Sequence, residues 1–242
     1  MKEYVQHRGA FLRSSFHDLR GSFGIIVGAT SLLNMMDSQP EREKILDMLQ
    51  RNLTHVSRMM NQLLDYSRLE SGEEKLHIET FYAAVLLTEL CSGSMQLARE
   101  KGTYLHFKGP DQLLIEGDAV KVRRIAQNLV LNAVKYTTQG GINVSWETIS
   151  PDEAGIQLWQ LTISDTGPGI SQDLLTKING NQMEAQDPDQ QHNSEGHGEG
   201  IGLFITKRLT EILNARMEIE SQPAQGTTFR LIFPQSYPVN NE

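Results

Sequence analysis

The sequence predicts a helical hairpin that pairs with a second copy as a dimeric four-helix bundle, followed by an α+β two-layer sandwich. Three observations lead there. Up to about Tyr66, apolar residues recur at alternating steps of four and three, the period of packed helices. Asp37-Ser38-Gln39-Pro40 and Ser71-Gly72 interrupt that pattern, so two helices are expected with a boundary after the second. Beyond Gly72, short alternating runs interleave with helical stretches, the mark of strands packed against helices. The reading divides the chain into residues 1–72 and 73–242.

In the first helix the seam is Leu12, Phe16, Leu19, Phe23, Ile26, Thr30 and Leu33. Pro40 suits the first turn of the second helix, whose seam is Ile45, Leu49, Asn52, Val56, Met59, Leu63 and Tyr66. One hairpin cannot bury both seams together with Leu46, Leu53 and Met60. A second copy would complete a four-helix bundle, so a homodimer is expected. The competing arrangement packs the hairpin on the rest of its own chain. His17 lies one residue past Phe16, about 100° round the helix, at the edge of the seam. Asp18 beside it can keep one ring nitrogen protonated and leave the other nucleophilic. Gly21, Gly24 and Gly28 follow, each costing about 1 kcal/mol relative to alanine in a helix. Close helix packing and a bend near His17 both account for them.

In the second part, Lys75–Glu79 alternates like a strand. Tyr82–Lys101 is helical and stops at Gly102. Strands are expected at Tyr104–Lys108 and Leu113–Glu116. Asp118 caps a helix over Ala119–Tyr136. Ile142–Thr148 and Gln157–Ser164 form a hairpin around Pro151-Asp152-Glu153. A helix over Gly200–Leu213 precedes a last hairpin, Met217–Ser221 with Thr227–Phe233. A polar stretch between Ile170 and Gly198 reads as a lid. Between Ser171 and Glu199 it carries six acids and a single base, Lys177.

Composition narrows the function. Of 242 residues, 38% are hydrophobic, enough for a core. Lys and Arg number 22 against 30 Asp and Glu, a net charge of −8 that argues against a phosphate-neutralising nucleic-acid binder. The lone Cys91 cannot form an internal disulfide, which suits a reducing compartment. No apolar run approaches the roughly 20 residues that span a bilayer, and Met1–Arg13 is too polar for a signal peptide. The expected location is cytoplasmic, as a free protein or as the cytosolic fragment of a membrane-bound sensor.

Three motifs carry chemistry. Asn128 and Asn132 share one helix face and offer amide oxygens to a hard cation such as Mg²⁺, with Lys135 a turn on to meet a phosphate. Asp165-Thr-Gly167-Pro-Gly169-Ile170 follows a strand; its glycines admit a ligand close to the backbone, and Asp165 can accept from an exocyclic amine. Gly198-Glu-Gly200-Ile-Gly202-Leu203 opens a helix, where phosphates bind.

In this order, behind a hairpin bearing His17-Asp18-Leu19-Arg20, the motifs resemble the sensor histidine kinases of two-component signalling. The His17 segment resembles their H box, Asn128–Tyr136 the N box, Asp165–Ile170 the G1 box and Gly198–Leu203 the G2 box. Gly226-Thr227-Thr228-Phe229 resembles the closing strand segment. The likeness runs from about Phe11 to Pro234. It implies a dimerisation and histidine phosphotransfer hairpin ahead of a Bergerat-fold ATP-binding domain of the GHKL ATPase type. It further implies that His17 takes the γ-phosphate of ATP on its ε nitrogen with Asp18 as base, and that Asn132 ligates Mg²⁺ with Asn128 nearby. Lys135 and Tyr136 would contact phosphates or ribose, and Asp165 the adenine amine. Gly167 and Gly169 would line the base pocket, Thr227 would reach adenine through water, and Gly198, Gly200 and Gly202 would wrap the phosphates. The phosphoryl group would pass to an aspartate on a response regulator receiver domain.

The sequence departs from the family where its phenylalanine-bearing F box should stand: Lys177-Ile-Asn-Gly is there instead, and the lid lacks arginine. The fourth and fifth residues after His17 are Gly21 and Ser22, where the family has Thr or Asn and often Pro. Two competing readings follow: a chaperone- or topoisomerase-like ATPase of the same fold, and a phosphotransfer or regulator-binding scaffold with weak or no kinase activity.

Overall fold

The computed structural model describes residues 19–33, 35, 38–71, 74–172, 175–176 and 199–237. They fall into two compact units, the hairpin in one and the residues from Glu74 to Thr176 and from Gly202 onward in the other.

The hairpin joins α1 (19–33) to α2 (Gln39–Ser71). Glu41 in the first turn of α2 and Arg68 in its last complement the helix dipole. Ala29, Ile45 and Leu49 form its buried cluster, with Ile26, Leu33 and Met48 packed around them. On α2 the expected seam holds: Ile45, Leu49, Val56 and Met59 are buried. On α1 it holds in part, since Ile26 and Leu33 pack on the buried cluster. Ser22 and Ala29 are buried, whereas Phe23 and Thr30 are exposed. The face toward α2 carries Ala29 together with Ile26 and Leu33, and other bulky side chains are left outside. Phe23, Ile25, Val27 and Leu32 on α1, and Leu46, Leu53, Met60 and Leu64 on α2, all remain about half exposed. A Cβ added at Gly21, Gly24 or Gly28 would meet no heavy atom within 4 Å. Close packing within one chain therefore does not explain these glycines.

In the second unit, β1 (Glu79–Tyr82) pairs antiparallel with β3 (Leu114–Gly117) as a separate two-stranded sheet. The main sheet holds β2 (Tyr104–Lys108), β4 (Gly141–Ile149), β5 (Leu158–Asp165), β6 (Arg216–Gln222) and β7 (Gly226–Pro234). Their order is β2-β4-β5-β7-β6. Only β2 and β4 run parallel, so the sheet is mixed as expected. The helices are α3 (Ala83–Glu100), α4 (Ala119–Tyr136) and α5 (Glu199–Ile212), the last belonging to this unit from Gly202 onward. Burial alternates along β5 and β7, as in a sheet with one covered face. Leu87, Ile125, Leu129, Leu161, Leu209 and Leu231 fill the core. Trp159 stacks on Phe233 with ring centroids 4.6 Å apart. Full burial of such a side chain contributes about 1.5–3 kcal/mol. Cys91 is also fully buried, and burial pushes its thiol up to about 12.

The strand expected at Lys75–Glu79 lies later, at Glu79–Tyr82. Side chains have taken the backbone groups that a ladder would use. Asp118 accepts from the His77 amide at 3.0 Å, and Lys121 Nζ donates to the Lys75 carbonyl at 2.8 Å. Asp118 also caps α4 as expected, accepting from the Lys121 amide at 3.0 Å and from Lys121 Nζ at 2.8 Å. Burial pushes the Asp118 carboxyl up, but its bonds from Lys121 and His77 hold it below the usual range.

Candidate nucleotide-binding site

Strand register lines up one row of side chains across the main sheet. Leu105 faces Ile142, Ile142 faces Asp165, Asp165 faces Thr227, and Thr227 faces Ser221. Cross-strand partners share a face, so the row is apolar at one end and polar at Asp165, Thr227 and Ser221. Asp165 is the last residue of β5, and the chain turns back on it at once. The Gly167 amide donates to its Oδ1 at 2.8 Å. Burial pushes the Asp165 carboxyl above its ordinary value, opposed by backbone N–H bonds from Gly167 and Thr227.

The glycines here answer to close approach. A Cβ on Gly167 would lie 2.8 Å from Asp165 Oδ1. Gly169 has φ +76°, and a Cβ there would lie 2.2 Å from the Gln222 carbonyl oxygen. The loop is tied to the β6–β7 turn through the Ala224 amide, which donates to the Pro168 carbonyl at 2.8 Å. At its other side, Thr166 Oγ1 accepts from the Gly141 amide at 2.9 Å and donates to the Gln139 carbonyl at 2.7 Å. A cavity of about 590 Å³ opens beside Asp165, between Gln172, Leu175 and Thr176 on one side and Ser221, Gln222 and Gly226 on the other.

On α4, Asn128 Nδ2 donates to Thr206 Oγ1 of α5 at 2.8 Å. A Cβ on Gly202 would lie 2.6 Å from Asn128 Oδ1. The bare glycine thus lets the start of α5 rest on α4 and joins the first motif to the third. Asn132 is half-buried one turn along the same face. Among the described residues no cluster of three His, Cys, Asp or Glu side chains could hold a metal. A Mg²⁺ ion here would rest on the hard amide oxygen of Asn132, with phosphate and water oxygens completing its shell. Lys135 Nζ donates to the Tyr136 hydroxyl and lies 4.5 Å from the centre of that ring. Lys101 Nζ donates to the Lys135 carbonyl at 2.6 Å.

Asn128, Gly202 and Thr206 are thus brought together, as are Asp165, Gly167, Gly169 and Thr227. Gly200 lies in the first turn of α5. His17, Asp18 and Gly198 lie outside the described residues. Sequence reasoning missed Thr206, Thr166 and Ser221. Ser221 could have been found from the last hairpin, since it and Thr227 flank the Gln225-Gly226 turn in facing positions.

Residues 117–237 match the family of histidine kinase-, DNA gyrase B- and HSP90-like ATPases, and residues 7–72 match the His Kinase A (phospho-acceptor) domain. The autoinducer 2 sensor kinase/phosphatase LuxQ of Vibrio vulnificus is 30% identical over 235 residues, covering 96% of this chain and 27% of its own. The signal transduction histidine-protein kinase BarA of Escherichia coli is 28% identical, covering 94% of this chain and 25% of its own. The chain thus spans about a quarter of the length of these relatives. Among solved structures, histidine kinase AdeS of Acinetobacter baumannii superposes with a TM-score of 0.68 at 18% identity, covering 90% of this chain and 98% of its own. Histidine kinase ThkA in complex with response regulator protein TrrA gives 0.70 at 18%, covering 97% and 64%. ShkA in complex with AMPPNP gives 0.63 at 21%, covering 95% and 46%.

Proposed function

From the fact that this chain belongs to the histidine kinase-, DNA gyrase B- and HSP90-like ATPases, with a histidine-kinase phospho-acceptor hairpin ahead of the ATPase unit, we propose that it is an ATP-dependent protein-histidine kinase that phosphorylates its own His17. The observation that carries the nucleotide site is the half-buried carboxylate of Asp165, held by the Gly167 and Thr227 backbone amides beside a loop whose glycines permit the close approach. An acceptor so held matches the exocyclic amine of adenine. Asn132, Lys135 and Tyr136 on α4 and the glycines opening α5 would hold the phosphates. Mg²⁺ would neutralise charge on the triphosphate under an acidic lid, where Lys135 is the cation that the sequence supplies in the first motif.

In the transfer, the His17 ε nitrogen attacks the γ-phosphorus, the bond to the bridging β–γ oxygen breaks, and ADP leaves. Asp18 holds the proton on the other ring nitrogen, so the reacting nitrogen keeps its lone pair. The phosphoryl group then passes to a receiver-domain aspartate, a step in keeping with the relative solved with a response regulator. Incubation with γ-labelled ATP and Mg²⁺ tests the reading. Acid-labile, base-stable label that disappears in His17→Ala is expected. Free phosphate alone would mean an ATPase, and neither product would mean a scaffold.

The working form proposed is a homodimer. Leu46, Leu53 and Met60 recur every seven residues on one exposed line of α2, and the bulky exposed residues of α1 add to it. Such an apolar line calls for a second hairpin. Leu53→Lys should shift sedimentation toward monomer by at least tenfold in dissociation constant, since burying an unpaired charge costs several kcal/mol. A wild type that is monomeric at micromolar concentration would refute the arrangement.

Gly21 bears on the reverse reaction. In kinases of this family the Thr or Asn four residues after the histidine orients a water that attacks the regulator's phosphoaspartate. Gly21 offers no side chain there, and Ser22 next to it is buried in the hairpin. The expected outcome is kinase and phosphotransfer activity with little phosphatase activity. Gly21→Thr should gain phosphatase, because an added Cβ meets nothing within 4 Å. Decay of purified phosphorylated regulator, with and without the protein and ADP, is the measurement. Strong acceleration by the wild type would contradict the expectation.

A further inference from the structure

The row Asp165–Thr227–Ser221 has a hydrogen-bond polarity that can be worked out proton by proton. Ser221 Oγ lies 2.8 Å from the Ile170 amide nitrogen, which donates to it. It lies 3.0 Å from the Gly226 carbonyl oxygen. A carbonyl can only accept, so the one hydroxyl proton of Ser221 goes there. Thr227 Oγ1 stands 3.1 Å from the same Ser221 oxygen. With the serine proton already committed, that contact is a bond only if Thr227 donates to the remaining Ser221 lone pair. The Thr227 hydroxyl then has lone pairs, and no proton, left for a ligand. Its neighbour across the ladder, Asp165, is an acceptor as well, with the Gly167 and Thr227 amides already bound to it. The Asp165–Thr227 end of the row therefore presents acceptors only.

We propose that Ser221 is a positioning residue that fixes nucleotide selectivity. By taking the proton of Thr227 it makes the recess demand a hydrogen-bond donor, so that it admits a purine with an exocyclic amine at carbon 6 and rejects one with an oxygen there. The inference rests on the reading of this recess as the base site. Nothing in it requires Ser221 to touch the nucleotide. A 6-oxopurine seated directly against this row, with no bridging water, would set its carbonyl oxygen against the lone pairs of Thr227 and Asp165. Without the serine oxygen, Thr227 could rotate and turn its proton toward the recess, where it would satisfy that carbonyl.

The test is displacement of a fluorescent ATP analogue from the full chain by ATP and by inosine triphosphate, which carries oxygen in place of the amine. The wild type should prefer ATP. Ser221→Ala should reduce the ratio of the two affinities about tenfold, the size of one hydrogen-bond mismatch. Ser221→Thr, which keeps the hydroxyl and suits a strand, should restore the ratio. A merely structural loss would weaken both nucleotides alike and leave the ratio where it was. Thr227→Val covers the case in which Ser221→Ala fails to fold: it removes the oriented acceptor directly and should also lower the ratio. An unchanged ratio in a folded Ser221→Ala or Thr227→Val that still binds ATP would overturn this inference alone. Failure of the wild type to bind either nucleotide would overturn the base-site reading together with it.

Discussion

Asp165→Asn should reduce ATP affinity at least tenfold and bring autophosphorylation below detection. The carboxylate accepts the Gly167 amide at one oxygen and is further held by the Thr227 amide. An asparagine has one oxygen to offer in place of two. Whichever way its amide turns, its NH₂ group meets either a backbone N–H or the adenine amine, donor against donor. A buried mismatch of that kind costs about 1–3 kcal/mol, and each 1.4 kcal/mol is a factor of ten in binding. The fold should survive, since the side chain is isosteric, and the dimer should persist, since the hairpin is a separate unit. Calorimetric titration with ATP alongside sedimentation is the measurement. Wild-type affinity in this variant would remove Asp165 from the base site.

Gly226→Ala is expected to have the largest effect on stability. Gly226 has φ +89°, and an added Cβ would lie 1.9 Å from the Asp165 carbonyl oxygen. The backbone conformation alone costs an L-residue about 1–2 kcal/mol. The clash adds to it, because the atom struck is main chain in a central strand and has no rotamer to escape into. A loss above about 3 kcal/mol corresponds to a fall of roughly 6 °C or more in the melting temperature of a domain this size. Gly155→Ala is the control. It shares the positive φ, +81°, but lies in the exposed β4–β5 turn with nothing within 4 Å, so only the conformational cost applies. Equal melting temperatures for the two variants would show that the contact at Gly226 is not what holds it.

The elements that the sequence announced best were those whose signal is local. The Asp118 cap, the turn at Asp152 and the glycine-bounded loop after Asp165 each depend on a few neighbouring residues. Asp152 Oδ1, for instance, accepts from the Ala154 and Ile156 amides. The α1 seam was less legible, because a heptad pattern identifies apolar residues without saying which helix each one faces. Phe23 and Ile26 both stand in the expected seam, yet Ile26 packs toward α2 and Phe23 is half exposed. The strand expected from Lys75 failed for another reason. Its alternation was sound, but Asp118 and Lys121, some forty residues on, bind its backbone instead. Ser221 was legible only as the residue facing Thr227 across the last turn, since the rest of its role comes from the Ile170 amide, which is distant in sequence. In the candidate site, the residue types were readable and their partners were not. Asn128 was expected near a cation through its amide oxygen; that its amide nitrogen also joins two helices was not readable.

The burial of Cys91 settles how this protein responds to thiol chemistry. It is the single cysteine of the chain, fully buried on α3, with its thiol pushed up to about 12. Oxidants and alkylating reagents attack the thiolate, and at neutral pH almost none is present, behind a wall of packed side chains. Cys91 of the native protein should therefore be silent toward maleimides and peroxide. A cysteine introduced on the surface, at exposed Gly93 for example, would be the one reactive thiol. A spectroscopic label could then be placed in a single step, with no need to remove the native residue and leave a hole in the core.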